Sequence, residues 1–245
     1  MPETESGKKT FHITSNREEI CRTDDSIFIN LPPGRAVLST SWINGGYQEG
    51  LSGVFNHQPP HHATCSHNLE GGSVEAYMAI VAGRLGFDPE KSAGLLTAAK
   101  MKHAAVVTRS FRGVEVTAVI TGGIEVNGGR AGDPASYFQE NGKIEMISGT
   151  INTLLLIGAH LPAYAMTKAI MTATEAKAAA LQELMAQSRY SSGIATGSGT
   201  DGIAVITDTT HEKYLTDAGK HSKLGELIGI VVKEATTTTL RRQSE

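Results

Sequence analysis

Most side chains able to do chemistry fall in three glycine-rich stretches and one glycine-free one. Asn127 to Pro134 reads NGGRAGDP, Gly149 to Thr153 reads GTINT, Ala195 to Gly202 reads ATGSGTDG, and Thr172 to Lys177 reads TATEAK. Together they offer amides, hydroxyls, a guanidinium, carboxylates and an ammonium group. Carboxylates and amines exchange protons with a reacting group, and glycine loops expose backbone N–H groups to a developing oxyanion. These are the ingredients of a site for a polar substrate. Gly197-Ser198-Gly199-Thr200-Asp201-Gly202 also spells the GxGxxG of dinucleotide sites, but that motif must follow a strand and open a helix, where pyrophosphate meets the helix N-terminus. Here it precedes the β-forming run Ile203 to Thr207, so no dinucleotide site is expected. Thr200 and Asp201 are left either facing a substrate or forming a plain turn before a strand.

The helical stretch carries the sharper anomaly. At about 100° per residue, Met166, Ile170, Ala173, Ala180 and Leu184 share one stripe, with Lys177 at its centre, Thr174 at its margin and Glu175 roughly opposite. A lysine on an apolar stripe snorkels to water, pairs with a carboxylate, or gives up its charge, and the last is how catalytic lysines arise. Arg130 supplies a fixed fork of donors and Asp133 an acceptor beside Pro134, for a substrate or for a salt bridge within a turn. Asn152 either hydrogen-bonds a substrate amide or caps the strand beginning at Thr153.

From His57 to His67, four histidines and Cys65 fall within eleven residues. Transition metals use such ligands. The spacing nevertheless matches no structural zinc pattern, and Pro59 and Pro60 mark an exposed, solvated loop, so no metal ligand is assigned. GxSxG, HExxH and Walker signatures are missing from the sequence, which removes the readings that depend on them.

The elements that must position these groups follow from periodicity. Ser26 to Asn30 and Ala36 to Trp42 are β-forming runs joined by Leu-Pro-Pro-Gly, and Asn44-Gly45-Gly46 turns the chain after them. Val74, Met78, Val81 and Leu85 predict an amphipathic helix capped by Ser73 and ended by Gly86 and Pro89. Ala104 to Thr108 and Val114 to Thr121 form a hairpin, broken by Gly122-Gly123. Thr153 to Ile157 and Ile203 to Thr207 are strands buried on both faces. A long helix follows Pro162 to about Gln187, and Leu224 to Val232 sit at helical spacing. The expected fold is a single-domain layered α/β sandwich with largely antiparallel or mixed sheets and helices packed on the outside.

At 245 residues, with 40% hydrophobic but only 5% aromatic residues, the chain suits one core of closely packed small side chains. A net charge of −3 lacks the basic footprint of a nucleic-acid binder. Cys21 and Cys65 suit a reducing compartment, and no apolar run is long enough for a bilayer, so a cytoplasmic protein without a membrane partner is expected. Residues 1–9 and 236–245 are polar or threonine-rich and read as flexible termini.

Taken in order, Asn44-Gly45-Gly46, LLTAA from Leu95, Asn127 with RAGDP from Arg130, GTINT, TATEAK, ATGSGTDG and KLGELIG from Lys223 resemble the CbiZ family of adenosylcobinamide amidohydrolases. The resemblance covers roughly residues 35 to 235 and implies a single amidohydrolase domain over 10–235. It implies cleavage of the amide between the corrin ring and the aminopropanol arm of adenosylcobinamide, giving adenosylcobyric acid, in corrinoid salvage and remodelling. No cofactor would be required, since the cobalt is carried by the corrinoid substrate, and a homo-oligomer is left open. GTINT followed by an apolar strand, a long helix and a glycine loop also resembles the ornithine acetyltransferase and β-peptidyl aminopeptidase fold, which supports the sandwich alone.

Amide hydrolysis needs a polarised carbonyl, an activated nucleophile and a proton for the leaving amine. On this reading the Gly197 to Gly202 loop and Asn152 hold the oxyanion, Glu175 or Asp201 activates water, and Lys177 protonates the amine, with Asp201 the better placed partner of Lys177. A covalent route would use Thr150 or Thr174 as nucleophile. Asn44, Asn127, Arg130, Asp133, Thr150 and Thr200 are the expected substrate-binding residues, and His57 or His61 could contact the cobalt face. The competing class is a non-catalytic corrinoid- or metal-binding protein.

Overall fold

In the computed structural model, which describes residues 8–60, 66–136, 138 and 149–243, the chain forms two stacked sheets between helical layers. In chain order the strands are β1 (Lys9–Ile13), β2 (Glu19–Arg22), β3 (Ser26–Asn30), β4 (Arg35–Ser39), β5 (Gly46–Glu49), β6 (Gly53–His57), β7 (Ser92–Leu96), β8 (Ala105–Phe111), β9 (Val114–Gly123), β10 (Thr150–Ile157) and β11 (Gly202–Asp208). The helices are α1 (Val74–Arg84), α2 (Ala163–Glu183) and α3 (Lys223–Gln243). One sheet runs β1-β2-β3-β6-β7 and the other β5-β4-β11-β10-β9-β8.

Strand β10 shows why the layers stack. Every residue of it is buried, because alternate side chains enter different cores. Leu154 and Leu156 meet Ile27, Ile29, Val54 and Leu95 of the facing sheet. Ile151, Leu155 and Ile157 meet Ala169 and Ala173 of α2 and Val231 and Val232 of α3. Small alanines on α2 let the helix lie close to the sheet. On the opposite outer face α1 packs Tyr77, Met78 and Val81 against Phe28 and Phe55. The layered sandwich with mixed sheets and outer helices is therefore as expected, and it contains two parallel pairs, β6 with β7 and β10 with β11, each linked by an outer helix.

Several local expectations change. Leu31 to Gly34 carries the chain from one sheet to the other, so β3 and β4 do not pair. β9 does not break at Gly122-Gly123 but pairs through Gly123 with Thr150, which starts β10 three residues before Thr153. The tail read as flexible from Thr236 is helical to Gln243 in α3, with Thr236 and Thr239 fully buried and the Thr239 hydroxyl donating to the His103 carbonyl. A threonine run lowers helix propensity by a few tenths of a kcal/mol per residue, and tertiary burial outweighs it. Residues 1–7 and 244–245 lie outside the described residues. Among the described residues no helix is long and apolar enough to cross a membrane.

Candidate active site

Lys177 of α2 meets Asp201 in the loop that leads into β11. Its Nζ pairs with Asp201 Oδ2, and both side chains are about nine-tenths removed from water, at 13% and 14% exposed. Of the three fates open to a lysine on an apolar stripe, it takes the carboxylate pairing. Gly197 makes the approach geometrically feasible. A Cβ at that position would overlap Asp201 Oδ2 and come within 3.0 Å of Lys177 Nζ.

The loop closes around Asp201. Oδ1 accepts the Ile151 N–H at 2.8 Å and the Ser198 hydroxyl, while Oδ2 also accepts the Ser198 N–H at 3.2 Å. The carboxylate thus holds the loop, α2 and the start of β10 in register. Next to it, the Gly149 carbonyl accepts Asn127 Nδ2 at 2.6 Å and the Thr200 hydroxyl at 2.7 Å. Asn127 Nδ2 also donates to the Ser198 carbonyl, and the Thr150 hydroxyl donates to the Thr200 carbonyl at 2.9 Å. The glycine loop, the start of β10 and the 127–129 turn form one cluster, stapled by the Gly129 N–H to Gly197 carbonyl bond.

Asn152 belongs to this cluster but not in the expected role. Both of its Nδ2 hydrogens are taken, by Asn56 Oδ1 at 2.8 Å and the Leu96 carbonyl at 2.7 Å, and its Oδ1 accepts from Gly202 N–H and the Thr150 hydroxyl. With no donor to spare for an oxyanion, Asn152 positions the loop and ties the two sheets together. Asn56, in turn, donates to Thr121 Oγ1 at 2.8 Å. Asn56, Thr121 and Ser198 were missed in the sequence. Pro59 and Pro60 made His57 look like part of a loop and so hid its neighbour Asn56, although both belong to the buried strand β6.

The remaining expected residues divide. Asp133 lies beside the cluster, knitting two loops: it accepts the Arg130 N–H at 2.7 Å and the hydroxyls of Ser188 and Ser191. These hydroxyls, Ser188 first, hold its carboxyl below the usual range. The Arg130 guanidinium is exposed near Gly193 and forms no ion pair among the described residues. Asn44, by contrast, spends both amide hydrogens on the Pro89 and Ser92 carbonyls at 2.8 Å, and its φ of 49° fits the turn it closes. It therefore secures the β4–β5 connection and shares no hydrogen bond with the cluster. Glu175 is exposed on the solvent face of α2, beside Lys168, Asp217 and His221, so it is no alternative to Asp201. Thr174 is exposed too, its hydroxyl turned back to the Ile170 carbonyl.

His57 is a core residue of β6, 5% exposed, and not part of a solvated loop. Its Nδ1 meets Ser26 Oγ and its Nε2 meets Tyr77 Oη, each at 2.8 Å. Burial pushes its pKa down to about 4. It has no open nitrogen for cobalt. His61 lies outside the described residues.

A family model described as adenosylcobinamide amidohydrolase matches residues 10–245. The chain is also similar to an uncharacterized protein of Methanocaldococcus jannaschii, MJ1613, at 33% identity over 233 residues, covering 90% of this chain and 87% of that one. Among solved structures, the PH0078 protein of Pyrococcus horikoshii OT3 aligns with a TM-score of 0.44 and 12% identity, over 95% of this chain and 82% of that one.

Proposed function

We infer the reaction from one premise: the chain belongs to the adenosylcobinamide amidohydrolase family, whose model spans nearly all of it. The reading is that the Lys177–Asp201 cluster hydrolyses the amide joining the aminopropanol arm to the corrin ring of adenosylcobinamide. The products are adenosylcobyric acid and the freed arm, in corrinoid salvage and remodelling. The observation that carries it is the ion pair held out of water against Gly197, among groups able to bind a carbonyl.

The roles follow from the geometry. Among the described residues Lys177 is the one cation of the cluster, and it can hand a proton to the departing amine. Asp201 orients it, and Asp201 accepts four donors already, of which the Ser198 hydroxyl rotates most freely. A water taking that hydroxyl's place on Oδ1 would pass its proton to Asp201 as it attacks. Thr150 is the covalent alternative to that water, and its hydroxyl lies inside the cluster as Thr174's does not. Asn127 and Thr200 would reach the oxyanion only by giving up their bonds to the Gly149 carbonyl, on which both donors converge. The exposed guanidinium of Arg130 suits the peripheral amides of a corrin. Cobalt enters with the substrate, and this mechanism asks for no metal of the protein's own.

The test is to incubate purified protein with adenosylcobinamide and follow adenosylcobyric acid by mass spectrometry. Wild type should form it, and Lys177→Ala and Asp201→Ala should each slow it by about 10²–10⁴, the usual share of an acid or base group. Losses under about tenfold in both variants would sink this assignment. A corrinoid spectrum that changes on binding, with no product, would favour the non-catalytic corrinoid-binding reading.

A further inference from the structure

We propose that Tyr190 is a substrate-recognition residue, an aromatic platform at the rim of the candidate site on which the conjugated face of the corrin ring rests. The identity of that ring rests on the amidohydrolase reading; the platform itself follows from the loop that carries it. After α2 the chain doubles back in a short irregular hairpin, in which the Ser188 N–H donates to the Gly193 carbonyl at 2.8 Å. Tyr190 is near its tip, and both of its flanks are fixed. Asp133 accepts the hydroxyls of Ser188 and Ser191, Ser188 Oγ accepts the Tyr190 N–H at 3.1 Å, and the Arg189 N–H donates to the Gly128 carbonyl at 2.8 Å.

All this order holds a ring that is 43% exposed. The ring lies against Gly129, where a Cβ would come within 3.2 Å of Tyr190 Cδ2. Its hydroxyl has no hydrogen bond among the described residues. An aromatic side chain kept in water adds little to folding, but one that is already rigid loses little freedom when a ligand covers it. Flat conjugated rings stack on such a face in an offset arrangement.

The backbone carries this platform to the chemistry. Gly129 donates its N–H to the Gly197 carbonyl at 2.9 Å and accepts the Thr196 N–H at 2.8 Å, and Gly197 is the residue against which Lys177 and Asp201 pair. Gly199 and Thr200, at the tip of the same glycine loop, are exposed, so this side of the cluster opens to water. Arg130, next to Gly129, is exposed as well, with Nη1 beside Gly193. A stacking ring and a planar fork of donors therefore rise from one seam between two loops. That pairing fits a flat macrocycle fringed with amides, whose scissile arm hangs from its edge. Trp42 is comparably exposed, but it belongs to the β4–β5 connection, which Asn44 ties to the Pro89 and Ser92 carbonyls and not to the cluster.

The test is equilibrium binding of adenosylcobinamide to the purified full chain, read by quenching of Trp42, its one tryptophan, beside steady-state turnover. Tyr190→Ala should weaken binding and raise KM about tenfold, as removal of one stacked ring does, while kcat stays within about threefold of wild type. Tyr190→Phe should bind as wild type does, and Tyr190→Leu, which keeps bulk without a π face, should be as weak as Tyr190→Ala. Melting temperatures of the variants restrict the comparison to folded chains. Adenosylcobyric acid, which lacks the arm, and dicyanocobinamide, which lacks the adenosyl group, should both lose affinity by the same factor. A loss confined to the adenosylated compounds would place the adenine on Tyr190 and overturn the proposal, as would equal binding by wild type and Tyr190→Ala. Turnover with an unchanged KM in Tyr190→Ala would sink the platform and leave the amidohydrolase reading standing. Binding that depends on Tyr190 without turnover would do the reverse, and a wild-type chain that neither binds nor turns over would overturn both.

Discussion

At the scale of single residues, the site depends on what Gly197 lacks. Lys177 and Asp201 reach each other across a position where a methyl group has no room, so Gly197→Ala should separate the pair. We expect this variant to fold, since the loop is at one end of the sheet, and to lose at least tenfold in product formation. Full activity with an unchanged melting temperature would show that the pair tolerates a wider spacing than the structure allows. The lysine was legible in the sequence, because a charge centred on the stripe Met166, Ala173, Ala180 breaks a helical period. Its partner was legible only as chemistry, since Asp201 lies 24 residues away. The amides were the least legible. Asn152, Asn44 and Asn127 look alike as letters, yet only their neighbours show which amide hydrogens are already used.

At the scale of elements, His57 joins β6 to β3 through Ser26 and to α1 through Tyr77. Burial is the main cause of its lowered pKa, and the nearby Asp25 charge only partly offsets it. The folded state therefore resists protonation more than the unfolded chain does. Stability from this source is complete above about pH 6.5 and falls as the pH drops from there through about 4. The loss should reach about 3 kcal/mol. Urea melts at neutral and acid pH measure it, and His57→Gln should flatten that part of the pH dependence. An equally steep decline in the variant would assign the effect to other groups. Short elements such as β5 and β7 escaped the sequence reading because four or five residues carry little periodicity, and the pairing of β7 with β6 is settled by the helix between them.

At the scale of the whole molecule, two of the polar contacts between the sheets are buried and bear on stability or on the site. Near the candidate site, Asn56 of one sheet meets Asn152 of the other. At the far end of β11, Arg35 of β4 binds Glu18 at 2.6 Å and Asp208 at 3.0 Å, with its side chain only 5% exposed. Removing one partner of such a buried group leaves uncompensated charge, so Arg35→Ala should cost about 3–5 kcal/mol in denaturant melts. Turnover per folded molecule should stay at the wild-type level, since Asp208 and Gly202 are at opposite ends of the strand. A loss of turnover without a loss of stability would mean that the two ends communicate.

The sequence by itself determined the layered α/β class, the long helices, and the chemical types gathered in the glycine stretches. These follow from local period and composition, which each segment carries whatever surrounds it. Only the tertiary structure decided that Asp201 meets Lys177 while Glu175 faces solvent, and that Asn152 is already engaged. It also placed two donors on the Gly149 carbonyl. Such choices depend on crossovers that bring together residues 20 to 100 positions apart, and no local pattern encodes which hydrogen bonds remain unmade once they meet.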